Sequence, residues 1–388
     1  MKKLLIASAA LAMVAGTAQA QSSVTVYGSY DIGYTDVKME NVGGATGTAA
    51  QFNQKGLNQA SGNGPLTSNR IGFRGTEDLG GGLRANFNLE YGFRADMTGD
   101  TVTTGSHSTA NANASGQALS QIQTRTSRVG LESAKLGRLD VGYGLTGLFA
   151  TVANHSPLPG NNWVGDVAYT SDGTSGADSR IIAGAVRMNG INYTSPRIGG
   201  FTARIDAGTN TNKTDDGAVA DVRSTNNGLT VNYSAGAFAL AATVHQTRAD
   251  TATTAATSNA MTTTDYQAVS ARYAVTKDLA VNALYANNKA TIGGVQSSKN
   301  DVMQVGVSYA MGKTSLVAQY GQGEGEGVNA STNQRDRKGY QVGAIYNLSK
   351  RTSAYAIYGS QENKYVTTTN AGNTEKLSGY AVGLRHSF

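Results

Sequence analysis

The 388-residue chain contains no cysteine, only four prolines and four histidines, and a single tryptophan, Trp163. Without cysteine there is no disulfide framework, so a chain of this size must be held by a large continuous sheet or core. Scarce proline argues against a low-complexity coil, even though glycine, at 49 residues, exceeds its usual share of about 7%. The histidines, His107, His155, His245 and His386, fall in widely separated segments. An enzyme reading therefore has little to build on. It would need a serine beside His245, and no catalytic residue, metal ligand or cofactor is assigned. Past the amino terminus no apolar stretch approaches the length of a transmembrane helix. A membrane location then requires a closed barrel, the other fold that satisfies every backbone group in lipid. Nor is there a basic run. The net charge of +6 is spread along alternating segments, which argues against nucleic acid.

What is present starts with a leader. Met1-Lys2-Lys3, the apolar run Leu4 to Val14 and Ala18-Gln19-Ala20 form a basic region, a short apolar core and an A-x-A site. Residues 1–20 are expected to be a cleaved secretory signal, leaving 21–388 as one outer-membrane barrel domain and lowering the net charge to +4. Tyrosine outnumbers phenylalanine 19 to 8, a composition suited to barrels with interfacial aromatic girdles. At the other end, Tyr380, Val382, Leu384, His386 and Phe388 alternate with small or polar residues. An apolar terminal edge strand invites aggregation unless another strand covers it, and closure onto a first strand at Val24 to Tyr34 would do so.

Strand-ending aromatics at Tyr193, Tyr233, Tyr273, Tyr309, Tyr346 and Phe388 are spaced by 40, 40, 36, 37 and 42 residues. A period near 40 also fits propellers and solenoids. Each interval here holds two alternating strands, one short turn and one long loop, which is the up-and-down hairpin of an outer-membrane barrel. The turn at Glu77 to Gly82 joins Arg70–Thr76 to Leu83–Phe93, and a strand rather than a helix follows its glycines, unlike a dinucleotide fingerprint. Counting such segments gives an all-β, antiparallel, transmembrane barrel of sixteen strands. Fourteen or eighteen stay open, because single-strand signals of this kind are weak. Glycine-, threonine- and asparagine-rich segments at 43–64, 98–123, 209–227 and 249–264 read as external loops, and so does Gly321 to Gly327. The segment Leu145 to Met188 differs. It holds His155, Pro157, Pro159, Trp163, Asp166, Asp172 and Asp178, and a loop this long with such content points to function.

The stretch Asn69-Arg70-Ile71-Gly72-Phe73-Arg74-Gly75-Thr76-Glu77-Asp78-Leu79-Gly80-Gly81-Gly82-Leu83 closely resembles a hairpin of the trimeric general porins of the neisserial and β-proteobacterial type. Val24 to Gly28, Ser127 to Leu131, Asn192 to Pro196 and Phe388 resemble the same family. The resemblance implies sixteen strands, a homotrimer and a third external loop folded into the lumen to narrow it. It also implies constriction arginines at Arg70, Arg74, Arg128 and Arg187, facing acidic groups on that loop, with Asp166, Asp172 and Asp178 as candidates. Phe388 would be read as a signal by the barrel-assembly machinery. Periplasmic chaperones, outer-membrane lipid and lipopolysaccharide complete the expected partners.

Alternation alone places Arg70, Arg74, Arg84, Arg128, Arg138, Arg204, Arg272 and Arg385 opposite the apolar face, hence in the lumen. Glu90, Glu132, Asp140, Asp206 and Asp31 are expected to neutralise some of them. A subset left unpaired would favour anions. The expected function is passive diffusion of small hydrophilic solutes and ions with anion preference. The alternative is a pore preferring small organic anions.

Overall fold

A computed structural model of the chain describes residues 23–42, 52–57, 64–93, 122–153, 156–158, 163–168, 181–182, 184–212, 222–251, 260–327, 335–365 and 374–388. The leader lies outside these residues. The strands are β1 (Ser23–Val42), β2 (Phe52–Leu57), β3 (Arg70–Gly80), β4 (Leu83–Phe93), β5 (Ile122–Ser133), β6 (Gly137–Leu145), β7 (Arg187–Thr194), β8 (Phe201–Asn212) and β9 (Val222–Ala235). They continue as β10 (Phe238–Thr251), β11 (Ala260–Ala274), β12 (Leu279–Ile292), β13 (Val295–Met311), β14 (Thr314–Gly327), β15 (Arg335–Asn347), β16 (Thr352–Tyr365) and β17 (Thr374–Ser387). Among the described residues one helix, α1 (Gly147–Ala153), follows β6.

From β3 to β17 each strand pairs antiparallel with its sequence neighbour, and β1 closes the ring. One edge of β1 meets β17, from Ser29↔Ser387 to Val42↔Thr374. The other edge meets β3 over Ser23–Ser29 and then the short β2 over Tyr34–Met39, so β2 continues the edge that β3 leaves. The closed wall thus has sixteen members, β1 and β3 to β17. Reciprocal hydrogen bonds between Gly28 and Phe388 seal it at 3.0 and 3.2 Å.

Alternation decides the two faces. Val281, Tyr285, Val305, Val382 and Leu384 are exposed on one face. Asn282, Gln304, Gln341 and Ser353 are buried on the other, which makes the former the lipid-facing side and the latter the inner side. The strand-end aromatics form a girdle near the short turns, where Tyr233 pairs with Phe201 and Tyr273 with Phe238. A second girdle pairs Tyr320 with Tyr340 and Tyr358 with Tyr380.

Several expectations about loops are corrected. Gly321 to Gly327 is strand, paired with β13 through Ser298↔Gly327 and with β15 as far as Gly325↔Arg335. Gly321, Gly323 and Gly325 face inward and are buried, and at Gly321 a Cβ would lie 2.4 Å from Val167 Cγ2. The small residues are there because other chain atoms press on that face, not because the segment is a flexible loop. The stretches 209–227 and 249–264 are likewise strand at both ends, where β8 runs to Asn212 and β9 begins at Val222, and β10 runs to Thr251 and β11 begins at Ala260, while 43–64 holds β2 and 98–123 ends in β5.

The inner face also carries apolar residues. One buried cluster joins Leu148 and Val152 of α1, together with Val167, Ala168, Ile181 and Ile182, to Tyr266, Ala268, Leu284, Ala286 and Val302 of β11 to β13. A second joins Leu158, Trp163 and Val164 to Val37, Val317, Tyr355, Ile357, Leu377 and Ala381 of β1, β14, β16 and β17. The long segment between β6 and β7 is the common partner of both.

Candidate functional site

Three cross-strand rows on the inner face of β3 to β9 bring the basic residues together. The row nearest the short turns runs Asp78, Arg84, Glu132, Arg138, Thr194, Arg204, Thr230. The next runs Asn86, Gly130, Asp140, Asn192, Asp206, Gly228. The third runs Arg74, Asn88, Arg128, Gly142, Gly190. Directly opposed residues on one face have Cβ atoms about 5 Å apart, so neighbouring side chains within a row interact, except where Gly130, Gly228, Gly142 and Gly190 interrupt the second and third rows.

Within this wall the arginines divide by partner. Arg138 binds Asp140 in bidentate fashion, at 2.7 Å from Nε and 2.9 Å from Nη2, and reaches Glu132 at 3.6 Å. Arg204 Nε lies 2.8 Å from Asp206 Oδ1. Arg70 shares Glu90, 3.7 Å away, with Arg125, whose Nε is 2.7 Å from the same carboxylate. Tyr27 donates its hydroxyl to Asn88 at 2.9 Å and to Glu90 at 3.1 Å, and carries the Arg74 guanidinium 5.0 Å above its ring. Arg74, Arg84, Arg128, Arg272 and Arg385 have no ion pair among the described residues. Arg84 sits beside the turn at Gly80 to Gly82, away from Arg128.

Arg128 instead donates from Nη2 to the carbonyl oxygen of Leu145 at 2.7 Å, and Arg204 Nη2 reaches the same oxygen at 2.6 Å. Gly144 makes room for this. A Cβ there would stand 2.3 Å from Arg128 Nε. Beyond Leu145 the long segment begins. Gly147 donates its N–H to Asp206 Oδ2 at 2.7 Å, and Thr146 Oγ1 caps α1 by accepting from Phe149 N at 3.1 Å. Thr146 also ties the two ends of the segment together, through Val186 O at 3.2 Å and Ala185 O at 2.6 Å.

Further along, the segment lies on the opposite wall. Gln341 donates to Trp163 O at 2.7 Å and to Val164 O at 2.9 Å, Gln319 reaches Asp166 Oδ2 at 3.2 Å, and Asn288 holds Ile181 O at 2.9 Å. Trp163 Nε1 donates to Gly379 O at 3.2 Å. The paired Gly359 and Gly379 form the notch it crosses, and a Cβ on Gly359 would fall 1.7 Å from Val164 O.

Asp166 is thus buried against Gln319, on the side of the ring away from the arginine rows. Asp172 and Asp178 lie outside the described residues. Arg187 opens β7 opposite Leu145, in phase with Ile191 and Tyr193 rather than with Met188 and Asn192, and its Nε bonds Arg125 O at 3.0 Å. Asp31, expected to neutralise an arginine, is in no ion pair within 4 Å among the described residues. It accepts from Leu66 N at 2.8 Å, Thr67 N at 2.7 Å and Tyr355 Oη at 2.6 Å, so it secures the end of the first external segment. Phe388 lays its ring over Gly28, where a Cβ would come within 2.4 Å of the ring. His245, buried, has its Nε2 3.4 Å from Asn226 Oδ1.

Alternation missed Arg125. A register shift between Glu90 and Tyr91 turns it toward Glu90, and nothing in the residue pattern marks that bulge. The glutamine supports on β14 and β15 did have a signal. Their neighbours are apolar on both faces, as are Leu279 to Ala286 apart from Asn282, which a water-lined wall does not require.

Comparisons with known proteins agree with this architecture. The sequence model of a family described as Gram-negative porin matches residues 7–366. The outer membrane porin protein 32 of Delftia acidovorans is 30% identical over 412 aligned positions that span all of both chains. An outer membrane porin protein of Bordetella pertussis is 40% identical over 144 residues, which cover 37% of this chain and 33% of that one. Among solved structures, an anion-selective porin from Comamonas acidovorans superposes with a TM-score of 0.68 at 24% identity, covering 95% of this chain and all of the other. The trimer form of OmpT from Vibrio cholerae gives 0.61 at 15% identity, covering 95% and 99%.

Proposed function

Because the chain belongs to the Gram-negative porin family, we propose that it is an outer-membrane, water-filled channel through which small hydrophilic solutes and ions diffuse passively, with a preference for anions. The observation that carries the preference is the inner wall of β3 to β8, where Arg74 and Arg128 stand without an ion pair among the described residues. A confined ring of uncompensated cations raises the local anion concentration, and its low-dielectric walls focus the field. The Comamonas acidovorans porin of the same fold is anion-selective, which supports the reading.

In this reading the segment between β6 and β7 folds into the lumen and narrows it, with the arginine rows on one side. Its hydrogen bonds to Gln341, Asn288 and Gly379, all on the inner face, support that placement. Arg70, Arg74 and Arg128 then face the passage, Arg84 and Arg138 its short-turn end, and Asp166 serves to seat the loop rather than to form an acidic wall. The working unit is a homotrimer set in outer-membrane lipid and lipopolysaccharide. The leader is removed on export, and the Phe388 terminus guides chaperone-assisted assembly. A planar-bilayer recording under a salt gradient tests the channel. Stepwise openings in threes and a reversal potential on the anion side are expected, and a cation-selective reversal potential would sink the preference.

A further inference from the structure

Resting on that pore reading, we infer that Arg204 is a positioning residue for the third external loop, setting the aperture through the Leu145 carbonyl independently of the charge it adds. The loop leaves the wall over three residues, and one ion pair holds both sides of that exit. Arg204 Nη2 donates to Leu145 O at 2.6 Å, while its Nε lies 2.8 Å from Asp206 Oδ1. The other oxygen of that carboxylate accepts the N–H of Gly147 at 2.7 Å. Asn192 Nδ2 donates to Asp206 as well, so the carboxylate is fixed from β7. The carbonyl before Thr146 and the N–H after it are therefore referred to a single rigid pair on β8.

Arg128 touches the same carbonyl, but differently. Among the described residues its Nη2 makes that one contact, and its Nε is buried without a hydrogen-bond partner. The two guanidiniums repel each other across one oxygen. Asp206, whose side chain is 1% exposed, offsets this beside Arg204. Among the described residues Arg128 thus adds field with a single point of attachment, whereas Arg204 grips the hinge through two of its nitrogens.

Charge and grip separate in the variant Arg204→Lys. A lysine keeps the charge, but a single ammonium on a flexible stem does not reproduce the planar fork that spans two fixed acceptors. In planar bilayers, Arg204→Lys is expected to leave the reversal potential near wild type. Its open-channel current noise should rise about two-fold or more as the loop root loosens, with conductance shifted in the same traces. Gly144→Ala is the control. It crowds the Arg128 guanidinium without altering any charge or the Arg204–Asp206 pair, and its noise should stay closer to wild type than that of Arg204→Lys.

An Arg204→Lys channel with wild-type conductance and noise overturns the positioning role. So does a Gly144→Ala channel that is the noisier of the two, which would move the grip to Arg128. If Arg204→Lys does not assemble, Asp206→Asn, which weakens the anchor of the fork, must give the same excess noise for the proposal to stand. A wild-type barrel that does not conduct would instead sink the pore reading itself.

Discussion

The two sides of this barrel do opposite work with the same strand geometry. On β3 to β8 the inner face carries guanidinium and carboxylate groups in rows, and among the described residues it is hydrogen-bonded to the long loop at the loop's root, Leu145 to Gly147. On β14 to β17 the inner face around the loop's seat carries glycine, glutamine, tyrosine and aliphatic side chains, with Arg337 and Glu375 toward the external ends and Arg385 near the short turns, and the middle of the loop is bonded to it through Trp163, Val164 and Asp166. One wall keeps its charge available to the passage. The other gives up its polarity to hold a piece of backbone. A charged wall cannot do the second task, since desolvating an arginine costs far more than desolvating an amide. An amide wall cannot do the first, because it supplies no net field.

The sharpest way to break that division is to fill the notch. Gly359→Val would drive side-chain carbon into Val164 O, a backbone atom that cannot rotate aside, and overpacking of this kind costs about 1–3 kcal/mol. The loop should leave β16. Trp163 is the sole tryptophan, so intrinsic fluorescence reports the event directly as a shift to the red, and single-channel conductance should rise with it. Unchanged emission would mean that the glycine is not needed for seating.

Gln341→Leu acts on the same wall with a smaller effect. It removes two donors and leaves the carbonyls of Trp163 and Val164 without them, at about 1–3 kcal/mol for each group that stays buried and unsatisfied. The expected result is a lower midpoint for the Trp163 fluorescence change in denaturant, with the β-sheet circular dichroism transition unmoved. Parallel shifts in both signals would mean that the glutamine supports the whole barrel and not the loop in particular.

How much of this was visible in the residues follows the same division. The arginine side was legible because strict alternation assigns a face to every second residue, and Arg74, Arg128, Arg138 and Arg204 all fall on the inner one. The closing strand was legible for the same reason. Alternation failed where register breaks, as at Arg125 behind its bulge, whereas Arg187, which the resemblance and not alternation assigned to the constriction, falls in phase with Ile191 and Tyr193. It failed differently at Gly321 to Gly327, where glycine facing a seated loop mimics glycine in a flexible one. The seat itself was hidden because it depends on contacts 153 to 216 residues apart in sequence, such as Gln319 with Asp166 and Trp163 with Gly379. No local pattern specifies which wall a loop will reach, although residues apolar on both faces of β12 mark a strand that something must cover on its inner side.

The smallest effect expected is also the one that separates charge that is free from charge that is paired. Arg74 and Arg138 both lie on the inner face of the basic wall. Among the described residues Arg74 has only the Tyr27 ring, 5.0 Å away, whereas Arg138 is neutralised at 2.7 Å by Asp140 and again by Glu132. Neutralising Arg74 removes a bare charge. Neutralising Arg138 exposes two carboxylates in its place, so the local charge there becomes negative. Simple counting treats the two substitutions as equal. At a fixed salt gradient, the partners predict that Arg74→Gln lowers the anion preference with no loss of heat stability. Arg138→Gln should lower both, since it breaks a bidentate, partly buried pair of a kind worth about 1.5–3 kcal/mol. Raising the salt concentration should shrink the Arg74 effect first, because an exposed, unpaired charge is screened over a Debye length of about 10 Å at 0.1 M while a contact pair is screened much less. Reversal potentials of both variants at low and high salt, with melting curves alongside, provide the measurement. Equal losses of selectivity with equal salt dependence would show that pairing on this wall has no bearing on what the passage sees.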